Sequence, residues 1–351
     1  MTVEPIPAAS PRGWIESPRY DLGLLALTPL LGLVICGFAN AIDPFVLSGA
    51  SLFVLGMPHY LSTYTFYMDD ANRSYYRTRA AAFYVGPFLV VGFLTLALYN
   101  HFYFLVAVVV DGWNVFHVSR QSGGILSIYR HLGAGDNRAE KLPANLALLC
   151  AAGGLYALHI DKQPSFVHYF GFLPWPVAPW LGPALLGAAA LSLVVLLVRM
   201  ARRKARVAAS EAVFLASSLV LFGPYVLLES RSTATSAMLA GHYVQYLGLI
   251  WLLNHRKYKT EEGSAAQRLL AGVSRRPYRI LIFLGALVAL TSLVDRFVHH
   301  LNAIAFHTWI LNLVVLLHFY LDGLFWAFKR PYVRESVGPY LIEPERRLAA
   351  A

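Results

Sequence analysis

Apolar runs of about 20 residues recur along the chain, the length a helix needs to cross the hydrocarbon core of a bilayer. Ten such segments are expected, over residues 20–42, 44–68, 80–99, 101–128, 143–160, 177–199, 209–228, 235–254, 278–298 and 303–328. The fold class that follows is all-α, a polytopic transmembrane helix bundle of about ten spans. Residues 1–19 then form a cytoplasmic N-terminal segment, 20–328 the membrane domain and 329–351 a cytoplasmic C-terminal tail. No internal repeat, low-complexity tract or soluble domain interrupts this pattern, and the Pro- and aromatic-rich stretch 161–180 reads as an interfacial loop.

Composition agrees. Of 351 residues, 57% are hydrophobic and only 14% charged, where a soluble domain carries roughly 25% charged residues. The net charge of +10 needs no nucleic-acid partner, because basic cytoplasmic loops produce the same excess. The first 19 residues are polar and Pro-containing, so no cleavable signal peptide is expected. The two cysteines, Cys36 and Cys150, sit within apolar runs and read as buried, inert thiols.

Charge also orients the chain. Of the 29 basic residues, all but Lys162, Arg231, Arg296 and Arg120 fall in alternate loops and at the two ends. That asymmetry predicts an even number of spans with both termini in the cytoplasm.

Once oriented, four histidines fall at one depth. His59 precedes Arg73, His117 precedes Arg130, His242 precedes Arg256 and His318 precedes Lys329 by 11 to 14 positions. At about 1.5 Å per residue, each imidazole lies about 17–21 Å from a cytoplasmic basic flank. All four are on spans that run in the same direction. A single His in a membrane helix is more often an interhelical hydrogen bonder than a ligand. Four at one level are different, since intramembrane ionisable residues face the bundle interior and mark functional sites. Together they can complete most of a transition-metal coordination sphere.

Each histidine has polar company on its own helical face. Gln121 and Asn114 flank His117, with Asp111 further up the stripe; Gln245 follows His242, Asp322 follows His318, and Ser62 and Thr63 follow His59. Such residues are spaced to orient a ligand histidine through its second ring nitrogen. His59, His117, His242 and His318 are therefore the candidate metal ligands, with His255 as second choice. Asp322, Gln121 and Arg120 are the candidate catalytic groups. Arg120 is expected to pair with a carboxylate such as Asp322 or to hold an anionic substrate group, and Gly123 and Gly124 to permit close helix packing. His101, His131, His159, His168, His299, His300 and His307 read as loop or interface residues, the pair His299–His300 as a conceivable gate.

Imidazole-rich sites suit iron, copper or zinc. The chain has no haem-attachment motif, no cysteine ligand and no clustered histidine boxes, which leaves a mononuclear four-histidine site as the economical reading. The segments GMPHYLSTY (56–64), the His117 span, GHYVQYLGLIWLLNHRKY (241–258) and LHFYLDGLFWAFKRP (317–331) resemble the spaced blocks of the Brp/Blh family. These are bacterial and archaeal membrane β-carotene dioxygenases. The likeness is confined to short blocks. Ser62-Thr63-Tyr64 stands where the family has an aspartate after its Pro-His pair, and no proline precedes His318. The resemblance implies a multi-pass bacterial or archaeal cytoplasmic membrane protein. It implies Fe(2+) held by His59, His117, His242 or His255, and His318, and oxygenase chemistry with dioxygen.

A site near mid-bilayer favours a lipophilic substrate, such as an isoprenoid, a carotenoid or an acyl chain. Its nearby aromatic residues then serve either as ordinary packing or as the lining of an apolar tunnel. Two other functions stay open: a membrane haem protein with histidine axial ligands, and a proton-coupled transporter with Asp111 and Asp322 in its relay. A transporter would more often show repeat symmetry, and none is visible. The sequence does not set the oligomeric state.

Overall fold

The computed structural model describes residues 13–39, 41–134, 138–161, 178–203, 207–258, 263–276, 279–300 and 304–342. Every regular element among them is helical. In chain order these are α1 (Pro18–Asp21), α2 (Pro29–Phe38), α3 (Pro44–Ser51), α4 (Met57–Ser62), α5 (Asp70–Thr78), α6 (Gly86–Tyr99), α7 (Tyr103–Ala134) and α8 (Arg138–Asp161). Then come α9 (Ala178–Arg202), α10 (Ala209–Val220), α11 (Pro224–Leu227), α12 (Arg231–Lys257), α13 (Ala265–Ser274), α14 (Ile280–His300), α15 (Ile304–Phe325), α16 (Pro331–Ser336) and α17 (Gly338–Leu341). Three π-helical turns, Leu22–Ala26, Leu52–Gly56 and Ala81–Val85, lie between these elements.

Among the described residues, four helices are long and apolar enough to cross a membrane: Ala81–Tyr99, Ala139–Ile160, Pro179–Arg202 and Ala209–Leu227. The pair Pro18–Ala26 and Pro29–Phe38, bent by 55°, raises the number to five. This is a membrane-type helical bundle. Its apolar helices turn large side chains outward, with Phe88 76% and Leu191 67% exposed, as a lipid-facing surface does. Most of α12, in contrast, is buried along its length, so it forms the axis around which the others pack.

Prolines shape the bundle, and distant side chains repair what they break. A proline inside a helix has no N–H for the carbonyl four residues earlier. Pro29 frees the Leu25 carbonyl, which Gln245 Nε2 meets at 2.7 Å and Thr28 Oγ1 at 3.3 Å. Pro87 frees the Phe83 carbonyl, taken by the Tyr67 hydroxyl at 2.8 Å. Pro143 frees the Ala139 carbonyl, which accepts from Arg199. Each π turn is followed shortly by such a proline (Pro29, Pro58, Pro87), as expected where an extra residue absorbs a ladder break. Gln245 thus supports a helix break rather than a histidine.

α12 and α2 cross closely because of two glycines. A Cβ on Gly241 would stand 2.5 Å from the Thr28 carbonyl oxygen, and one on Gly32 would stand 2.7 Å from the Ala237 carbonyl oxygen. Close approach of this kind is what small residues give membrane helices. It seats the residue after Gly241, which is His242.

The described parts of both flanking segments, from residue 13 and up to residue 342, pack on the core. Ile15, Val333, Val337 and Leu341 join the main core cluster. Arg256 ties the two together, donating from Nη1 to the Tyr340 carbonyl at 2.6 Å and from Nη2 to the Ile15 carbonyl at 2.5 Å, and pairing with Glu16. Arg130 is also buried, although its position in the sequence reads as loop. With Arg203, Glu140 and Glu211 it makes a neutral quartet that joins α7, α8, α9 and α10. Arg130 Nε lies 2.9 Å from Glu211, and Arg203 lies 3.3 Å from Glu140 and 2.5 Å from Glu211. Breaking such a buried pair on one side is strongly destabilising.

Candidate metal centre

The fold brings the rings of His59, His117, His242 and His318 together from four helices. His59 stands on α4, where Pro58 and the π turn before it set the phase of the helix. His117 comes from α7, His242 from α12 and His318 from α15. Their exposures run from 0% to 8%. His59 Nε2 lies 3.0 Å from His318 Nε2, which lies 3.3 Å from His117 Nε2. Ligating atoms of His59, His117 and His318 all fall within 4.8 Å of one another, so these three could hold a metal ion. The His242 ring stands alongside, its centroid 4.9 Å from that of His59 and 5.4 Å from that of His117.

Hydrogen bonds around His318 indicate which ring nitrogen carries its proton. Its Nδ1 is 2.7 Å from Thr63 Oγ1, which is 2.9 Å from the Tyr246 hydroxyl, which donates to Asp322 Oδ1 at 2.6 Å. Asp322 as carboxylate can only accept. With the Tyr246 proton directed there, Thr63 donates to Tyr246, and the Thr63 oxygen receives Nδ1–H. With Asp322 ionised, one chain of donors runs from His318 to Asp322 and leaves the lone pair of His318 on Nε2, facing the other two imidazoles. Trp326 Nε1 adds a donor to Tyr246 at 3.4 Å. The other carboxylate oxygen, Asp322 Oδ2, is 3.9 Å from Nε2 of both His117 and His318. Asp322 was expected to support a ligand histidine directly. It does so through Tyr246 and Thr63, and keeps its second oxygen toward the centre.

A lone pair on His318 Nε2 can accept one N–H, yet two imidazole nitrogens crowd it. A metal ion bound between them would resolve this. At typical imidazole–metal distances of about 2.0–2.1 Å, neighbouring ligand nitrogens stand about 2.9 Å apart at right angles and about 3.4 Å apart in a tetrahedron. The observed 3.0 and 3.3 Å fall in that interval. With Asp322 Oδ2 nearby, the donor set is nitrogen-rich with one carboxylate. It is enclosed by Tyr60 and Tyr243, whose hydroxyls meet at 2.7 Å, and by Phe319 against the His117 ring.

Other expected site residues lie elsewhere. His255 is not a ligand here: its Nδ1 is 2.6 Å from the Ser274 carbonyl and its ring stacks on Trp251. Arg120 is exposed and does not pair with Asp322, whose Oδ1 is engaged by Tyr246 and Thr63. Asp111 pairs with Arg231 at 3.2 Å. His159 is buried, with Nδ1 2.8 Å from the Tyr225 carbonyl, and is not an interface residue. His101 and His131 are exposed as expected. His168 lies outside the described residues, as do the side chains of His299, His300 and His307. Gln121 stands one turn past His117 with its amide buried.

Sequence reasoning missed the central part of Tyr246. It was counted only as an aromatic neighbour, though it occupies the same i+4 position after His242 that drew attention to Asp322. No family model matches the chain, and no curated protein or solved structure matches it either.

Proposed function

We propose that this protein is a membrane-embedded metalloenzyme, a non-haem iron oxygenase acting on a lipophilic substrate of the isoprenoid, carotenoid or acyl-chain type. The observation that carries the reading is the convergence of three buried imidazoles, with His318 Nε2 at 3.0 and 3.3 Å from those of His59 and His117 and all three sets of ligating atoms within 4.8 Å of one another. Iron is favoured over zinc because several histidines with one carboxylate suit non-haem iron(II). An iron(II) ion there would supply activation of dioxygen. His59, His117 and His318 hold the ion, with His242 and Asp322 Oδ2 adjacent to complete its sphere. Thr63 and Tyr246 orient His318. Tyr60, Tyr243 and Phe319 pack around the centre and shield it from water.

The haem alternative fits the spacing poorly. For His318 the spacing is short for a haem: its Nε2 stands 3.0 and 3.3 Å from those of His59 and His117, where ligands on opposite faces of a macrocycle would stand about 4 Å apart.

The same proposal includes ten spans, both termini in the cytoplasm, and a bacterial or archaeal inner membrane. In a cysteine-free background, a cysteine at Ser232 should be labelled from outside intact cells and one at Ala201 should not. The reverse pattern would overturn the topology.

Metal analysis of detergent-purified protein tests the centre. One equivalent of iron is expected; His318→Ala should abolish it, and Asp322→Asn should leave it reduced. Full metal in two or more of the single alanine variants of His59, His117, His242 and His318 would sink the assignment.

A further inference from the structure

Each of the four histidines is followed four residues later by a polar side chain: Thr63 after His59, Gln121 after His117, Tyr246 after His242 and Asp322 after His318. Four residues make one turn, so each stands beside its histidine on one helical face. The ion pair between Asp111 and Arg231 and, further along both helices, the contact of the His117 and His242 rings show that α7 and α12 run in the same direction. Gln121 and Tyr246 therefore step to the same side of the histidine level. A second polar layer lies one turn from the first.

Three of its members close on one another. Thr63, Tyr246 and Asp322 make contacts of 2.9, 2.6 and 3.4 Å. Gln121 is different. Both its Nε2 and its Oε1 are shut off from solvent and have no hydrogen-bond partner among the described residues, and neither has Ser122 Oγ beside it in sequence. A buried carboxamide with neither end satisfied is costly and rare in native proteins.

The unsatisfied chemistry selects the class of group. Gln121 offers a donor and an acceptor together. A ketone or ether would satisfy only the donor, and a carboxylate would bring a second negative charge toward Asp322. The one nearby cation on the same helix, Arg120, is exposed and so is not placed to neutralise it. A hydroxyl both donates and accepts, is neutral, and can end an apolar chain.

We propose that Gln121 is the polar anchor for a hydroxyl-bearing lipophilic substrate, holding the hydroxyl one helical turn from the histidine centre. This rests on the reading of that centre as a metal site for an apolar substrate, and it adds the position of the substrate's polar end. The competing occupant is water bridging Gln121 and Ser122, which needs two to four polar partners.

The test compares binding of a long-chain prenyl alcohol and its methyl ether to detergent-purified protein, by tryptophan fluorescence, with and without a chelator. Comparing wild type with variant for each compound cancels partition into micelles. Wild type is expected to favour the alcohol, and both Gln121→Leu and the closer isostere Gln121→Met to lose about tenfold in alcohol affinity. Their ether affinity and their metal content should stay unchanged. An alcohol loss that exceeds the ether loss in either folded variant supports the anchor. Equal loss for alcohol and ether, no loss in either variant, or no preference in wild type overturns it and leaves water as the occupant. Metal content is read separately, so absence of metal in wild type would count against the centre without deciding the anchor.

Discussion

Thr63→Val isolates the contact that fixes the His318 tautomer. Valine matches threonine in shape, so the main loss is the oxygen 2.7 Å from His318 Nδ1. When Nε2 binds a dication, Nδ1–H becomes more acidic and its hydrogen bond stronger, so the loss falls more heavily on the metal-bound form. Hydrogen bonds to charged groups contribute about 1.5–3 kcal/mol, and each 1.4 kcal/mol is tenfold in affinity. Metal affinity should therefore fall about 10–100-fold, in line with what outer-shell partners of ligand histidines usually contribute. Tyr246→Phe acts one link further along the chain and should weaken affinity less. The double variant should cost little more than Thr63→Val alone, since both changes cut one chain. The assay is anaerobic titration of iron(II) into metal-stripped protein against a competing chelator, with thermal midpoints measured in parallel. Wild-type affinity in Thr63→Val, or a larger loss in Tyr246→Phe than in Thr63→Val, would refute the relay.

Two further outcomes concern the scaffold. Gly241→Ala places a Cβ 2.5 Å from the Thr28 carbonyl oxygen and 3.0 Å from Pro29 Cα, and backbone there cannot give cheaply. It should cost about 1–3 kcal/mol, read as a lower thermal midpoint, whereas Gly37→Ala, with nothing within 4 Å, should not; equal midpoints would discount the crossing. Asp69, just past the second apolar segment, caps α5 through the Asn72 N–H at 2.8 Å and also meets Lys257 at 3.1 Å and the Tyr258 hydroxyl at 2.8 Å. Burial alone would push its carboxyl up, but Lys257 and these donors together hold it below the usual range. A folded-state pKa below the unfolded value near 3.9 gives stability that is present above that value and lost as pH falls through the folded one. Asp69→Asn should destabilise at pH 7 by about 1–3 kcal/mol, and its deficit should shrink below about pH 4. A deficit that persists undiminished at pH 3 would assign the effect to shape and not to charge.

The bundle was legible because apolar length is a one-dimensional signal, carried by runs such as Phe88 to Leu98 on α6. It was least legible on the helices that carry the site. α7 and α12 are not among the helices that pass as membrane-crossing by length and apolarity. Part of the reason is visible in their own sequences, where Asp111, Asn114, His117, Arg120 and Gln121, and then His242 and Gln245, interrupt the run. The fate of Gln245 was not legible. Its partner is the Leu25 carbonyl, 220 positions away in sequence, and it depends on a proline break on another helix. Arg130 was missed for a similar reason: two glutamates from other helices neutralise it where its own segment reads as a loop.

Depth located the four histidines but says nothing of azimuth. Counting residues to a basic flank fixes how far each imidazole stands from the membrane surface and leaves its rotation about the helix free. The i+4 residues supply the missing coordinate. A polar side chain one turn from a histidine shares its face, so where such side chains bond to one another the histidine faces must converge too. Thr63, Tyr246 and Asp322 do bond to one another, and the rings of His59, His242 and His318 accordingly meet. Tyrosine escaped notice because its ring reads as packing in an aromatic-rich membrane protein. Its hydroxyl, which links Thr63 to Asp322, is the part that mattered.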